Sequence, residues 1–101
     1  MPIDLDAALL RKVQDILKEY APACEVWAFG SRVRKGAKSF ADLDLAIVSS
    51  QGMTPRQLAV LADAFAESDL PIKVDLLDWN STNPEFQRRI AQEYEVLFRN
   101  F

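Results

Sequence analysis

The stretch GSRVRKGAKSFADLDLAIV, Gly30 to Val48, sets two acids, Asp42 and Asp44, one residue apart in an apolar run. The part from Ala41 to Ser49 reads as a strand. Side chains alternate across a strand, so Asp42 and Asp44 share one face while Leu43, Leu45 and Ile47 supply a core on the other. Neighbouring carboxylates on one face repel, and burying either one unpaired would cost about several kcal/mol. Something positive therefore belongs between them. It is either a Lys or Arg side chain or a hard cation such as Mg²⁺, which takes oxygen ligands and keeps room for water and phosphate.

A third acid stands further along the chain. In IKVDLLDW, Ile72 to Trp79, the residues Ile72, Val74 and Leu76 take one face and Lys73, Asp75 and Leu77 the other. If this strand lies beside the first, Asp75 joins Asp42 and Asp44. Three carboxylates can hold two divalent ions about 3.5–4 Å apart, a clamp suited to in-line displacement at phosphorus. Asp78 is a weaker candidate because it falls on the opposite face from Asp75. An Asp-x-Asp pair also suits the solvated face of an ordinary sheet, so the upstream corner matters. Gly30 and Ser31 close a strand and open a turn. Glycine lets backbone approach a ligand, and free N–H groups with a hydroxyl suit phosphate oxygens. Arg32 follows, as a phosphate contact or as a solvated charge. Cradle, acid pair and third acid together meet the demands of nucleotidyl transfer from a triphosphate.

Composition narrows the choices. The chain has 101 residues, 50% of them hydrophobic, a formal net charge of −3, one cysteine and no histidine. That suits one compact domain over residues 1–101. It excludes every histidine-based triad, metal site or acid–base scheme. The lone Cys24 precludes an internal disulfide and reads as a small core residue. The basic residues Arg32, Arg34, Lys35 and Lys38 form only a local cluster, so a long nucleic acid is not the expected partner. No apolar run approaches the roughly 20 residues of a membrane span, and no basic signal segment opens the chain. A cytoplasmic location is expected.

The remaining elements follow from periodicity. Leu9, Val13, Ile16, Leu17 and Tyr20 predict an amphipathic helix over about residues 5–20, capped by Asp4 or Asp6 and ended by Pro22. CEVWAFG, Cys24 to Gly30, predicts the first strand. Thr54, Pro55 and Gln57 predict a capping box opening a helix with the stripe Leu58, Leu61, Ala62 and Phe65. Asn83-Pro84 predicts a last helix with Phe86, Ile90 and Tyr94 facing inward, and Glu95 to Phe98 a short edge strand. The result is an α/β (α+β) fold, a small sheet with helices on it.

FGSRVRKGAKSFADLDLAI, with its Gly-Ser, spacer, Asp-x-Asp and later Asp on another strand, resembles the polymerase β-like nucleotidyltransferase superfamily. The short length and the FGSR form look most like the minimal nucleotidyltransferases (MNT), partners of HEPN proteins. The resemblance runs over nearly the whole chain, including the closing EYEVLF. The chain has Ala41 where the family often has serine, and Lys35 where it commonly has glycine. The resemblance implies a mixed β-sheet flanked by helices. It also implies Gly30, Ser31 and Arg32 as nucleotide-binding residues, Asp42 and Asp44 as Mg²⁺ ligands, and Asp75 as the third carboxylate, helping to activate an acceptor hydroxyl.

The leading expectation is an enzyme that uses two Mg²⁺ ions to move AMP from ATP to a hydroxyl. By resemblance, that hydroxyl is a tyrosine of a HEPN ribonuclease toxin, and the chain is the toxin's antitoxin, assembling with it. The alternative is a binding module that neutralises its partner by contact alone. Modification of a small molecule is a third, weaker expectation, because the drug-modifying relatives carry an added acceptor domain.

Overall fold

A computed structural model describes residues 5–30, 42–49 and 52–99. Helix α1 (Ala7–Tyr20) starts where Asp6 accepts the Ala8 N–H at 2.8 Å, and it ends at Ala21, before Pro22. Strand β1 (Glu25–Phe29) follows, then β2 (Leu43–Val48), α2 (Pro55–Glu67), β3 (Val74–Asp78), a 3₁₀ turn (Trp79–Ser81), α3 (Pro84–Gln92) and β4 (Tyr94–Arg99). Helix α2 opens on the expected capping box. The Gln57 N–H donates to Thr54 Oγ1 at 3.1 Å, and the Thr54 N–H donates to Gln57 Oε1 at 2.9 Å. Asn83 caps α3 by accepting from the Phe86 N–H at 2.8 Å. Each cap satisfies a donor that the first helical turn leaves over.

The sheet order is β3-β2-β1-β4. Strands β2 and β3 run parallel with α2 as their crossover, and the other pairs are antiparallel, so the sheet is mixed. Strand parity splits it into two faces. Val26 and Ala28 of β1 and Leu43, Leu45 and Ile47 of β2 pack under Leu10, Val13 and Leu17 of α1 and Leu61 and Phe65 of α2. This is the core, and its β2 residues are fully buried. A bulge between Val26 and Trp27 shifts the β1–β4 register and drives Leu97 into the core. The Gln14 amide takes the Leu97 carbonyl at 2.9 Å, tying α1 to the bulge.

Three expectations need correction. Tyr94 does not continue the last helix. That helix stops at Gln92, and Tyr94 begins β4, where it stacks on Trp27 with ring centroids 4.2 Å apart. Tyr20 is 43% exposed, and α1 buries Leu10 in place of Leu9, while Ile16 packs half-buried against the core as expected. Ala62 of α2 is exposed. Cys24 is buried as expected, and burial pushes its thiol pKa up, which suits an inert thiol. No helix among the described residues is long and apolar enough to cross a membrane.

Candidate active site

The face of the sheet away from α1 and α2 carries the acids. In the parallel ladder, Asp44 stands directly opposite Asp75. Asp42 lies just before β2 and is exposed. The Leu43 N–H donates to the Lys73 carbonyl at 2.9 Å, which extends the ladder to the level of Asp42 and Lys73. Asp78 pairs with Ile47 on the other face. Its Oδ2 accepts from the Ser81 hydroxyl at 2.8 Å, which ties it into the 3₁₀ turn and away from the other three acids.

Gly30 closes β1 at φ +78°, a left-handed conformation that side-chain-bearing residues rarely adopt. A Cβ there would lie 2.5 Å from Asp44 Oδ2. The absent side chain is what lets the corner and the carboxylate share this space. Ser31 and Arg32, and the basic cluster Arg34, Lys35 and Lys38, lie outside the described residues.

Asp44 sits half-buried against two other acids. Burial first, then the charges of Asp75 and Asp42, hold its carboxyl above the ordinary carboxylate range. Lys73 Nζ lies 3.4 Å from Asp75 Oδ1. Among the described residues, no three His, Cys, Asp or Glu side chains are gathered closely enough around one point to hold a metal ion. Strand parity thus puts the acids on one face and in adjacent rows without gathering their oxygens around one point. The donor set is nonetheless the right kind for Mg²⁺. It is all carboxylate oxygen, it carries excess negative charge that a cation relieves, and it borders an open cleft.

That cleft, about 300 Å³, is walled by Phe29, Asp44, Asp75, Leu77 and Phe86. The Phe29 and Phe86 rings meet edge to face at 6.0 Å, and beyond them a second hollow of about 220 Å³ runs past Gly30 to Arg89 of α3 and to Glu93, the residue just after it. Sequence reasoning did not assign Phe29 and Phe86 to the site. Phe29 was accessible to it, since β1 parity puts that side chain on the face of Trp27. The 3₁₀ turn that swings α3 across this face left no such signal. One row below the acids, Trp27 stacks on Tyr94 and meets Trp79 edge to face at 4.8 Å. Glu25 holds this end by accepting from the Trp27 indole N–H and from Arg99 Nε, the latter at 3.0 Å.

The pattern of the polymerase beta nucleotidyltransferase family matches residues 11–100. The chain belongs to that family. The probable protein adenylyltransferase MntA of Haemophilus influenzae is 44% identical over 95 residues, which cover 94% of this chain and 83% of that protein. Among solved structures, a toxin-antitoxin with AMP-PNP superposes with a TM-score of 0.75 at 22% identity, covering 91% of this chain and 73% of that one. A complex of a tri-AMPylated HEPN toxin from Shewanella oneidensis with its MNT antitoxin gives 0.70 at 21%, covering 93% and 71%. Identities this low speak to the fold, and the fold they share is the nucleotidyltransferase sheet with its flanking helices.

Proposed function

We propose that this chain is a single minimal nucleotidyltransferase domain that moves AMP from ATP to a tyrosine hydroxyl of a HEPN ribonuclease toxin and thereby acts as its antitoxin in the cytoplasm. One observation carries the reading: Asp44 and Asp75 stand opposite each other in the β2–β3 register, with the side-chain-free corner of Gly30 against Asp44. Family membership supports the reaction class. The identity with MntA and the fold shared with toxin–antitoxin structures, one with AMP-PNP and one with an AMPylated HEPN toxin, support the substrate and the partner.

In this reading the acceptor oxygen bonds to the α-phosphorus of ATP, the bond to the β-phosphate oxygen breaks, and pyrophosphate leaves. Asp42 and Asp44 would hold Mg²⁺, and Asp75 would complete the set. Bound there, two Mg²⁺ ions would neutralise charge developing on the phosphoryl and leaving-group oxygens and lower the pKa of the acceptor hydroxyl. Asp75 would help to accept the hydroxyl proton, and the chain has no histidine for that task. Gly30, Ser31 and Arg32 would seat the triphosphate. Phe29 and Phe86 wall the cleft beside the acids and would exclude water from the reacting centre.

Intact-mass spectrometry of the partner toxin after incubation with this protein, ATP and Mg²⁺ tests the proposal. Addition of AMP, lost in the Asp42→Asn/Asp44→Asn variant, supports catalysis. A toxin neutralised without any added mass supports the contact-only alternative.

A further inference from the structure

Lys73 borders the acid face and pairs with one of the three acids. The hydrogen bond from the Leu43 N–H to the Lys73 carbonyl fixes its backbone in the parallel ladder, level with Asp42. Parity along β3 sends its side chain to the same face as Asp75, and Nζ lies 3.4 Å from Asp75 Oδ1. The Lys73 side chain is 72% exposed and that of Asp75 43%. An ammonium therefore rests beside the third carboxylate. The pair is open to water, so little holds it closed against a competitor of higher charge.

We propose that Lys73 is a tethered placeholder cation, a positioning residue that occupies the Asp75 carboxylate until a divalent ion arrives and competes with that ion for it. This rests on the functional reading above. The chemistry follows from charge alone. Without a divalent ion, three acids on one face repel, and Lys73 offsets one of them. A divalent ion carries twice the charge in a smaller radius and attracts all three acids, so it displaces an exposed ammonium that loses little by returning to water. The device keeps the empty site tolerable, and its cost is a weaker hold on the first ion.

Mn²⁺ serves as the probe, titrated without nucleotide and followed by electron paramagnetic resonance of the free ion and by thermal shift. Lys73→Met removes the charge at similar length. Metal-free K73M should melt below the wild type, and its Mn²⁺ affinity should rise by up to about fivefold, the range expected when an exposed ion pair no longer competes. Lys73→Arg keeps the charge and should bind Mn²⁺ as the wild type does. If the wild type binds Mn²⁺ and K73M binds it equally or more weakly, the placeholder role is wrong while the metal site stands. If neither protein binds Mn²⁺ and a Mn²⁺–ATP analogue is not taken up either, the functional reading itself fails, and Lys73 with it.

Discussion

Replacing Gly30 by alanine probes the corner and the acid at once. At φ +78° an L-residue is strained by about 1–2 kcal/mol. For a domain of this size, about 4–8 °C of melting temperature goes with each kcal/mol, so the backbone term alone lowers the midpoint by about 4–16 °C. The steric effect is separate. The new Cβ would stand 2.5 Å from Asp44 Oδ2 and 3.4 Å from Asp44 Cγ, so the carboxylate must swing away or the corner must move. Displacing a reacting group by about 1 Å costs on the order of 10²-fold in rate. Gly52 provides the control. Its φ is +74°, and among the described residues a Cβ there would meet only the Asn80 side chain, 3.2 Å away. Gly52→Ala should therefore lose a similar few degrees and keep its rate within about twofold, because it touches no reacting group. The assay pairs circular-dichroism melting with single-turnover transfer of labelled AMP at a temperature where all variants are folded. Equal rates for G30A and G52A would refute the argument that Gly30 exists to admit Asp44.

Two further outcomes follow. In metal-free buffer, Asp44→Asn should melt above the wild type at neutral pH. The folded state holds the Asp44 carboxyl above its ordinary range, so the unfolded chain releases that proton first, and ionisation destabilises the fold as pH rises. The gap should close as the pH falls low enough to protonate wild-type Asp44, and a gap that widens on acidification would contradict this sign. Thr54→Ala removes one half of the α2 capping box far from the acids, and should cost about 1 kcal/mol by denaturant titration with no change in transfer rate.

Period-two reading made much of the sheet legible. It put Asp44 and Asp75 on one face and Asp78 on the other, and the β2–β3 register agrees. It could not show that the two acids stand directly opposite, because register depends on how far α2 carries the chain back, which is a tertiary property. Tyr94 was misread for a specific reason. Phe86, Ile90 and Tyr94 are spaced by four, so helical periodicity runs on past the true end at Gln92, and only the strand-forming YEVLF run argues against it. The aromatic row of Trp27, Trp79 and Tyr94 joins residues from β1, the 3₁₀ turn and β4, and no local pattern announces it. The Lys73–Asp75 contact was visible as spacing on one strand face. Whether a long, exposed side chain uses such a spacing is decided by the charges around it, here the three acids.

Pre-steady-state transfer of labelled AMP to the toxin tests the central claim most directly, with Asp42→Asn, Asp44→Asn and Asp75→Asn measured singly and all together. Groups that act as one unit are strongly non-additive, so each single change should cost about as much as the triple, on the order of 10³-fold or more. An Asp75→Asn variant that transfers AMP at the wild-type rate would contradict the account.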